Sequence, residues 1–228
     1  FDCIPSQAYL ELGGVTIDKD KWRLLIGAIE EQRYLLQSKI LKLINKRTLQ
    51  KVLWEDAPGI NIDSQVQLVR QLRKMGYPVS NTKHRTLMEL QGDPLIDLLI
   101  KYRKFHKLLK AFGHSILDKV AKDGRLYTTF NQLGAPMTSR QSSSNPNLQQ
   151  IPNNDFDLPA GKGKGRIRDC FVATPGYKFV LGDYSQQEVR VAGHIFKEPI
   201  LFANYLADKD LYRTSASLVL NVPYEDID

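Results

Sequence analysis

The feature that most constrains this chain is a long run of apolar residues at helical spacing near its start. Charged residues fill the gaps between Trp22, Leu25, Ile26, Ile29, Leu36, Ile40 and Leu43. Residues three and four apart lie on one helix face, and Asp18 or Asp20 can cap the first turn. The pattern predicts a helix of about 25 residues, about 38 Å long. That length favours a projecting hairpin or arm over a compact core.

Two further helices are predicted in the first half of the chain. A loop around Ala57-Pro58-Gly59 precedes the first of them, which follows Ile62-Asp63-Ser64 and ends at Gly76-Tyr77-Pro78. The second follows Asp93-Pro94, and its apolar residues share one face of a helical wheel: Leu95, Leu98, Leu99, Tyr102, Phe105, Leu109, Phe112 and Ile116.

The rest of the chain mixes strands and helices. A short strand with Val15 and Ile17 is predicted after the Gly13-Gly14 turn, and another over residues 126–132. A polar loop over residues 136–154 and a Gly/Lys-rich stretch over 160–168 follow. A buried strand is then predicted over residues 177–183, with helices over residues 185–196, 201–208 and 211–220.

The charge of the chain is concentrated in one segment. Lys and Arg number 32 against 25 Asp and Glu, which gives a net charge of +7 and a pI near 9.3. Residues 101–125 carry eight Lys or Arg and two Asp, a sum of +6. Arg103, Lys107, Lys110 and His114 lie opposite the apolar face. This basic row is either a track for nucleic-acid phosphates or a solvated helix face.

Composition and the cysteine count argue against a membrane or secreted protein. No apolar run approaches the roughly 18 residues of a membrane span, and the segment after Phe1 lacks the basic start and apolar core of a signal peptide. Two distant cysteines, Cys3 and Cys170, favour a reducing compartment. Because the first residue is not Met, we also expect a cleaved product or a fragment.

A carboxylate follows the predicted strand over residues 177–183. Asp183 stands at the carboxyl end of that strand, where a carboxylate is well placed to hold Mg²⁺. The alternative is that Asp183 is only a turn residue. Ser185 and Glu188 also fit a capping box, so Glu188 has the alternative role of closing a helix start.

The polar loop is a second candidate site. Residues 138–152 read TSRQSSSNPNLQQIP, with an arginine, three consecutive serines, asparagines and glutamines. Such side chains donate to phosphate oxygens and to base edges. An exposed Ser-rich linker is the alternative, but the turn-rich Asn145-Pro146-Asn147 followed by apolar Leu148 and Ile151 favours a packed loop.

These two segments resemble family A DNA polymerases, the bacterial polymerase I type. SSSNPNLQQIP is similar to the family pattern S-S-S-x-P-N-L-Q-N-I-P, and GDYSQQEVR is similar to the first catalytic motif, D-Y-S-Q-I-E-L-R. RIRDCF lies between them, as R-I-R-R-x-F does in the family. GGVTID, INIDSQVQL, LLIKYRKFHKLL and KDLYRTSASLVLNVP also resemble family segments, so the resemblance covers essentially the whole chain.

The resemblance implies an α+β fold. A helical thumb with a long antiparallel helix pair would join part of an antiparallel-sheet palm. Residues 1–18 would form the first palm strand and its lead-in. Residues 19–122 would form the duplex-binding thumb, and residues 123–228 the N-terminal part of the palm with the first catalytic motif.

The resemblance also implies roles for individual residues. Asp183, assisted by the Tyr184 carbonyl, matches the aspartate that holds two catalytic Mg²⁺ ions. Ser185, Gln186 and Glu188 match nucleotide-binding positions, where Glu188 blocks a ribose 2′-hydroxyl. Tyr212 is assigned to the same nucleotide site but stands where many members have a histidine, and a tyrosine can donate a hydrogen bond there without carrying positive charge. Gln187 replaces an apolar residue beside the sugar gate.

DNA-binding positions follow from the same comparison of motifs. Arg140, Asn147 and Gln149 match residues that contact the primer-template minor groove, whose acceptors are shared by all correct pairs. Arg103 and Lys107 match basic thumb positions near the duplex backbone. The expected partners are therefore primer-template DNA and deoxynucleoside triphosphates, with no membrane. The resemblance also implies the cytoplasm of a bacterial or phage-infected cell, with an organelle as the alternative.

Two family motifs do not occur in the sequence: the fingers pattern R-x-x-x-K-x-x-x-Y-G and the second palm motif H-D-E. We therefore expect part of a DNA-directed DNA polymerase that is inactive alone and needs a second chain or segment for the fingers and the other catalytic aspartate. The alternatives are a catalytically inert fragment that binds primer-template, and a phage-type RNA polymerase. Glu188 and the SSSNPN segment oppose the last of these.

Overall fold

The computed structural model describes residues 4–49, 60–135, 138, 140–153, 155–159 and 163–227. Contacts divide the chain into two compact units, Phe1–Lys178 and Phe179–Asp228. The domain boundaries predicted at residues 18 and 122 both fall inside the first unit and stay predictions. The loop predicted at residues 57–59 lies outside the described residues.

The helices of the first unit largely follow the predicted pattern. Asp18 caps the longest one, because its Oδ1 accepts the backbone N–H groups of Asp20 at 3.1 Å and Lys21 at 2.9 Å. Ser64 caps the next long helix by accepting from the Gln67 N–H. The helices are α1 (Ile4–Gly13), α2 (Lys19–Leu49), α3 (Gln65–Lys74), α4 (His84–Met88) and α5 (Pro94–Phe112), and a 3₁₀ helix follows at His114–Lys119. The sequence pattern missed α1 and α4, and it placed Ile116 in the third helix although that residue belongs to the 3₁₀ helix.

Helices α2 and α5 pack antiparallel and form the centre of the first unit. The indole Nε1 of Trp22 at the start of α2 donates to the Gly113 carbonyl beyond the end of α5, at 3.3 Å. At the opposite end Arg47 pairs with Asp93 at 3.3 Å. The facing apolar residues are buried: Trp22, Ile26, Ile29, Leu36, Ile40 and Ile44 on α2, and Leu95, Ile96, Leu99, Tyr102, Phe105 and Phe112 on α5. The apolar face of α2 thus meets a matching face on α5, and the projecting hairpin or arm stays a prediction.

Three short antiparallel sheets accompany these helices in the described part of the chain. β1 (Val15–Thr16) pairs with β2 (Arg125–Leu126), β3 (Thr129–Ala135) with β4 (Arg140–Ser144), and β5 (Phe156–Asp157) with β6 (Lys164–Gly165). The predicted α+β class with a long antiparallel helix pair is confirmed.

The observed strands differ from the sequence prediction in two details. The strand predicted over residues 126–132 is divided between β2 and β3. Part of the predicted polar loop is β4, in which Ser142, Ser143 and Ser144 pair with Asn131, Phe130 and Thr129. Serine has weak strand propensity, so backbone pairing with β3 decides this conformation.

The described residues of the second unit form three α-helices, as predicted, and a 3₁₀ helix over Tyr224–Asp226. The α-helices are α6 (Gln187–Phe196), α7 (Pro199–Leu206) and α8 (Leu211–Leu220). The Arg190 guanidinium of α6 lies 4.4 Å from the centre of the Tyr205 ring of α7. The Thr214 hydroxyl of α8 donates to the Asn204 amide oxygen of α7 at 2.9 Å.

The buried strand predicted over residues 177–183 is not observed. This stretch has no regular structure, and Val180 and Leu181 are each 93% exposed. A lone strand leaves its N–H and C=O groups without protein partners, and no described segment pairs with this one.

None of the helices in the described part of the chain combines the length and the apolar character that a membrane span needs.

Candidate nucleic-acid and nucleotide sites

The predicted site residues fall into two groups, one in each compact unit. The first unit holds the five predicted DNA-binding residues: Arg103, Lys107, Arg140, Asn147 and Gln149. The second unit holds the six predicted metal- and nucleotide-binding residues: Asp183, Tyr184, Ser185, Gln186, Glu188 and Tyr212.

The segment after β4 is a packed turn. The side chain of Ser143 is buried, and its hydroxyl donates to the Asn147 amide oxygen at 3.0 Å. The same hydroxyl oxygen accepts the backbone N–H of Gln149 at 3.1 Å. Leu148 and Ile151 pack against the core. The exposed-linker interpretation of this segment is therefore wrong.

The three predicted minor-groove residues lie on or beside this turn. Arg140 begins β4 and is exposed, and Asn147 is half-buried directly before a 3₁₀ helix over Leu148–Gln150. Gln149, inside that 3₁₀ helix, is exposed. An exposed guanidinium on β4 and two amide side chains on the turn that follows it thus lie within one short segment. Together they provide the hydrogen-bond donors that minor-groove acceptors need.

The two predicted thumb residues have different environments. Lys107 is exposed on α5. Arg103, one turn earlier, is half-buried and donates from Nη2 to the Thr82 hydroxyl at 2.5 Å and from Nη1 to the Thr82 carbonyl. Burial lowers the pKa of the Arg103 guanidinium. Arg103 therefore connects α5 to the segment before α4, a role that the sequence did not indicate.

A polar cluster beside Arg103 was also missed. The Tyr102 hydroxyl donates to Asp63 Oδ1 at 2.7 Å, and His106 Nδ1 lies 3.3 Å from the same oxygen. Arg33 Nη1 lies 4.0 Å from Asp63 Oδ2. Burial, and then the bond to Asp63, raises the pKa of Tyr102. Only the helical spacing of Tyr102 and His106 hinted at this cluster, since Asp63 is distant in sequence.

A cleft of about 650 Å³ opens next to this cluster. Its walls combine apolar residues with the side chains of His84, Arg103, Lys104, His106 and Lys107. The side chains of Arg103, Lys104 and Lys107 make this part of the α5 surface electropositive, with Asp63 as the one carboxylate in the lining. Such a surface attracts a polyanion such as a phosphate backbone.

In the second unit, the segment that carries Asp183 leads into α6. Asp183 and Tyr184 are exposed. Gln186 has a left-handed backbone (φ +52°) and is the N-cap residue of α6, without a side-chain cap bond. The capping box predicted from Ser185 and Glu188 is wrong, because α6 begins one residue too late for Ser185 to be its cap.

Glu188 occupies the first turn of α6 and is exposed. The Ser185 carbonyl accepts from Arg190 Nε at 2.8 Å. Gln186 Nε2 lies 3.5 Å from Asp210 Oδ2, at the start of α8. Tyr212 is two residues beyond Asp210 and is 70% exposed. The start of α6 and the start of α8 are thus close, which brings the two predicted nucleotide-binding segments together.

The donor set for a metal is partial. Asp183 offers one carboxylate and Tyr184 one carbonyl, and the described residues contain no cluster of three or more His, Cys, Asp or Glu side chains able to hold a metal ion. Mg²⁺ commonly takes one or two carboxylates together with waters and substrate phosphates. Asp183 and Tyr184 fit this requirement as one side of a site that substrate completes.

Comparison with solved structures identifies the class of protein. The chain is similar to the polymerase domain of Pol1 from M. smegmatis, solved in complex with DNA primer-template and dNTP, with a TM-score of 0.65 and 30% identity. The match covers 98% of this chain and 38% of that one. The fold is therefore that of part of a polymerase domain.

Sequence comparison gives the family. The model of DNA polymerase family A matches residues 25–228, and the chain belongs to this family. It is 31% identical to DNA polymerase I of Pseudomonas aeruginosa over 98% of its length, and 30% identical to the thermostable DNA polymerase I of Thermus aquaticus over 97%. It spans about a quarter of these relatives, 24% and 26%.

Proposed function

We propose that this chain is part of a DNA-directed DNA polymerase that extends a primer by template-directed addition of deoxynucleotides. The observation that carries the proposal is the packed turn after β4, which holds Asn147 and Gln149 beside exposed Arg140 in a chain of the polymerase A family. The buried Ser143 hydroxyl fixes the turn, and a fixed turn holds these hydrogen-bond donors in one geometry for DNA. A solvated linker would not need such a hydroxyl.

The first unit is the duplex-binding part in this proposal. Arg140, Asn147 and Gln149 donate to minor-groove acceptors, which are shared by all correct base pairs and so report pair shape and not sequence. Lys107 contacts the duplex backbone. Arg103 also contributes to this duplex-binding surface, and its bonds to Thr82 give it a structural role as well.

The second unit is the nucleotide-binding part. Asp183 and the Tyr184 carbonyl would hold Mg²⁺, and the bound metal would stabilise the attacking and leaving oxygens of the transfer. Ser185, Gln186 and Tyr212 line the nucleotide. Glu188 excludes a ribose 2′-hydroxyl by occupying the space beside the sugar.

The complete reaction needs groups that this sequence does not contain. The primer 3′-hydroxyl would attack the α-phosphate of the nucleotide with two metal ions in place, and the two-metal arrangement uses a second carboxylate. We propose that a further segment or a second polypeptide supplies that carboxylate and the fingers. The bacterial origin of the relatives fits the predicted bacterial cytoplasm, which stays a prediction.

The second candidate function is a catalytically inert fragment that only binds primer-template. The exposure of residues 179–184 and the partial donor set at Asp183 favour it. Both candidates predict duplex binding, and they differ in extension.

A primer-extension assay tests the two candidates. The chain is assayed alone and after mixing with a polypeptide that carries the fingers and H-D-E motifs. Extension only in the mixture supports the split polymerase, and binding without extension in either case supports the inert fragment. A chain that binds no primer-template duplex contradicts both.

A further inference from the structure

The three consecutive serines of β4 differ in environment. Ser142 is half-buried, Ser143 is 3% exposed, and Ser144 is exposed. Neighbouring strand residues point to opposite faces, so Ser143 faces the protein while Ser144 faces away. The Ser143 hydroxyl has a partner for its proton, Asn147, and one for its lone pair, the N–H of Gln149.

The direction of these two bonds determines the orientation of the Asn147 amide. The backbone N–H of Gln149 can only donate, so it takes a lone pair of Ser143 Oγ. The hydroxyl proton of Ser143 goes to Asn147 Oδ1 at 3.0 Å. Since the amide oxygen is engaged, the Asn147 NH₂ group is the end that remains available to donate. Within the described part of the chain, that group makes no hydrogen bond.

A second buried hydroxyl supports the same turn. Thr128 is 8% exposed, and its Oγ1 lies 2.7 Å from the Pro146 carbonyl and 3.0 Å from the Ser144 carbonyl. Lys119 Nζ donates to the Asn145 side chain at 2.9 Å. Residues 144–146 are therefore held from the β3 side of the hairpin as well. The turn keeps one geometry, and the Ser143 hydroxyl then selects the direction of the amide.

We propose that Ser143 is a positioning residue for duplex recognition, acting through Asn147 and Gln149 without touching DNA. Its hydroxyl holds the Asn147 amide with the donor end outward, as the acceptors of the minor groove require. It also fixes the Gln149 backbone, and so the direction of that side chain. This inference rests on the proposed duplex-binding function.

The test measures binding of the full chain to a fluorescein-labelled primer-template duplex by fluorescence anisotropy. Ser143→Ala should weaken binding about threefold to tenfold, as expected for the loss of a neutral hydrogen bond and its ordering effect. Ser144→Ala is the matched control, because Ser144 is the next residue of the same strand and its side chain is exposed. It should change the affinity less than about twofold.

A double-mutant cycle separates positioning from a general structural role. In an Asn147→Ala background, Ser143→Ala should lower the affinity less than about twofold, because the amide that it positions is gone. A purely structural defect would lower the affinity equally in both backgrounds. Ser143→Thr keeps the hydroxyl and should bind the duplex like wild type.

The outcomes distinguish the inference from the proposed function. A wild-type chain that fails to bind the duplex overturns the proposed function. A wild-type chain that binds, with Ser143→Ala binding equally well, overturns the inference alone. If circular dichroism shows that Ser143→Ala is unfolded, Ser143→Cys replaces it, because the thiol is close in size and a weak donor. Equal binding by that variant also overturns the inference.

Discussion

The guanidinium of Arg103 donates to both the hydroxyl and the carbonyl of Thr82, a residue that is fully buried. These charge-assisted bonds fasten helix α5 to the segment before α4. A basic residue on the thumb helix thus has a structural task in addition to any contact with phosphate. Its neighbour Lys107 is exposed one turn away, so the two residues can be distinguished experimentally.

Replacing Arg103 by Ala should destabilise the first unit. The substitution leaves the buried Thr82 oxygens without donors, and we expect the free energy of unfolding to fall by about 1.5–3 kcal/mol. Urea denaturation followed by circular dichroism measures the change. Lys107→Ala is the control for stability and should change it by less than about 0.5 kcal/mol. Equal unfolding curves for the two variants would contradict the role of the Thr82 bonds.

Lys107→Ala should instead affect DNA binding. If Lys107 contacts a phosphate, the log–log slope of affinity against salt should decrease by about 0.9. Lys42→Ala removes the same charge from an exposed position on α2 and is the matched control. Anisotropy titrations from low to moderate salt provide both slopes. A Lys107 slope that equals the Lys42 slope would mean that this face of α5 is only solvated.

Asp183→Asn should abolish primer extension in the completed enzyme while duplex binding stays normal. The neutral amide weakens metal binding at the reacting phosphate but leaves the contacts of the first unit intact. We expect a rate loss of more than tenfold, equivalent to more than about 1.4 kcal/mol of barrier. Asp208→Asn, another exposed carboxylate of the second unit, should keep the rate. An Asp183→Asn enzyme with more than a tenth of the wild-type rate argues against the assignment.

Glu188→Ala should relax sugar selection, because removing the side chain opens space for a ribose 2′-hydroxyl. The ratio of kcat/KM for deoxynucleotides over ribonucleotides should fall. Glu188→Gln keeps the side-chain volume and should preserve most of the ratio. An unchanged ratio in Glu188→Ala would exclude the gate, with Gln187 as the next residue to test.

Stability should depend on alkaline pH through Tyr102. Its pKa is raised in the folded state by burial and by the hydrogen bond to Asp63, so the unfolded chain loses this proton first. The stabilisation is therefore complete below about pH 10, the unfolded value, and is lost as the pH rises toward the folded-state pKa. Tyr102→Phe should have a shallower decline in unfolding free energy above pH 10. Tyr34→Phe, at an exposed position, should decline like wild type.

The sequence predicted the helices better than the strands, for a physical reason. Helices α2, α3 and α5 have apolar residues at a regular spacing that is visible locally. Each also begins at a capping residue: Asp18, Ser64 and Asp93, respectively. Strand β4 is polar and exists through its pairing with β3, which no local pattern shows. The stretch over residues 177–183 has the opposite property: its apolar residues indicate a strand, but no described segment pairs with it.

The candidate site was predicted through motifs, while its supporting contacts were not. Asn147 and Gln149 stand out from the sequence pattern, but Ser143 cannot be told from its two neighbours without the burial that β4 imposes. Asp63 and Tyr102 meet across 39 residues of chain, and Arg103 meets Thr82 across 21. Such pairs depend on how the helices pack, which spacing alone does not reveal.

The pairing of α2 with α5 determines when this protein can fold during its synthesis. Trp22 and Gly113 are 91 residues apart in sequence, yet they close one end of the central helix pair. The ribosome must therefore complete α5 before the apolar face of α2 finds its partner, and until then that face is available to chaperones. Long-range closure of this kind slows folding relative to a bundle of adjacent helices. A chain ending before residue 94 would leave α2 without its main partner.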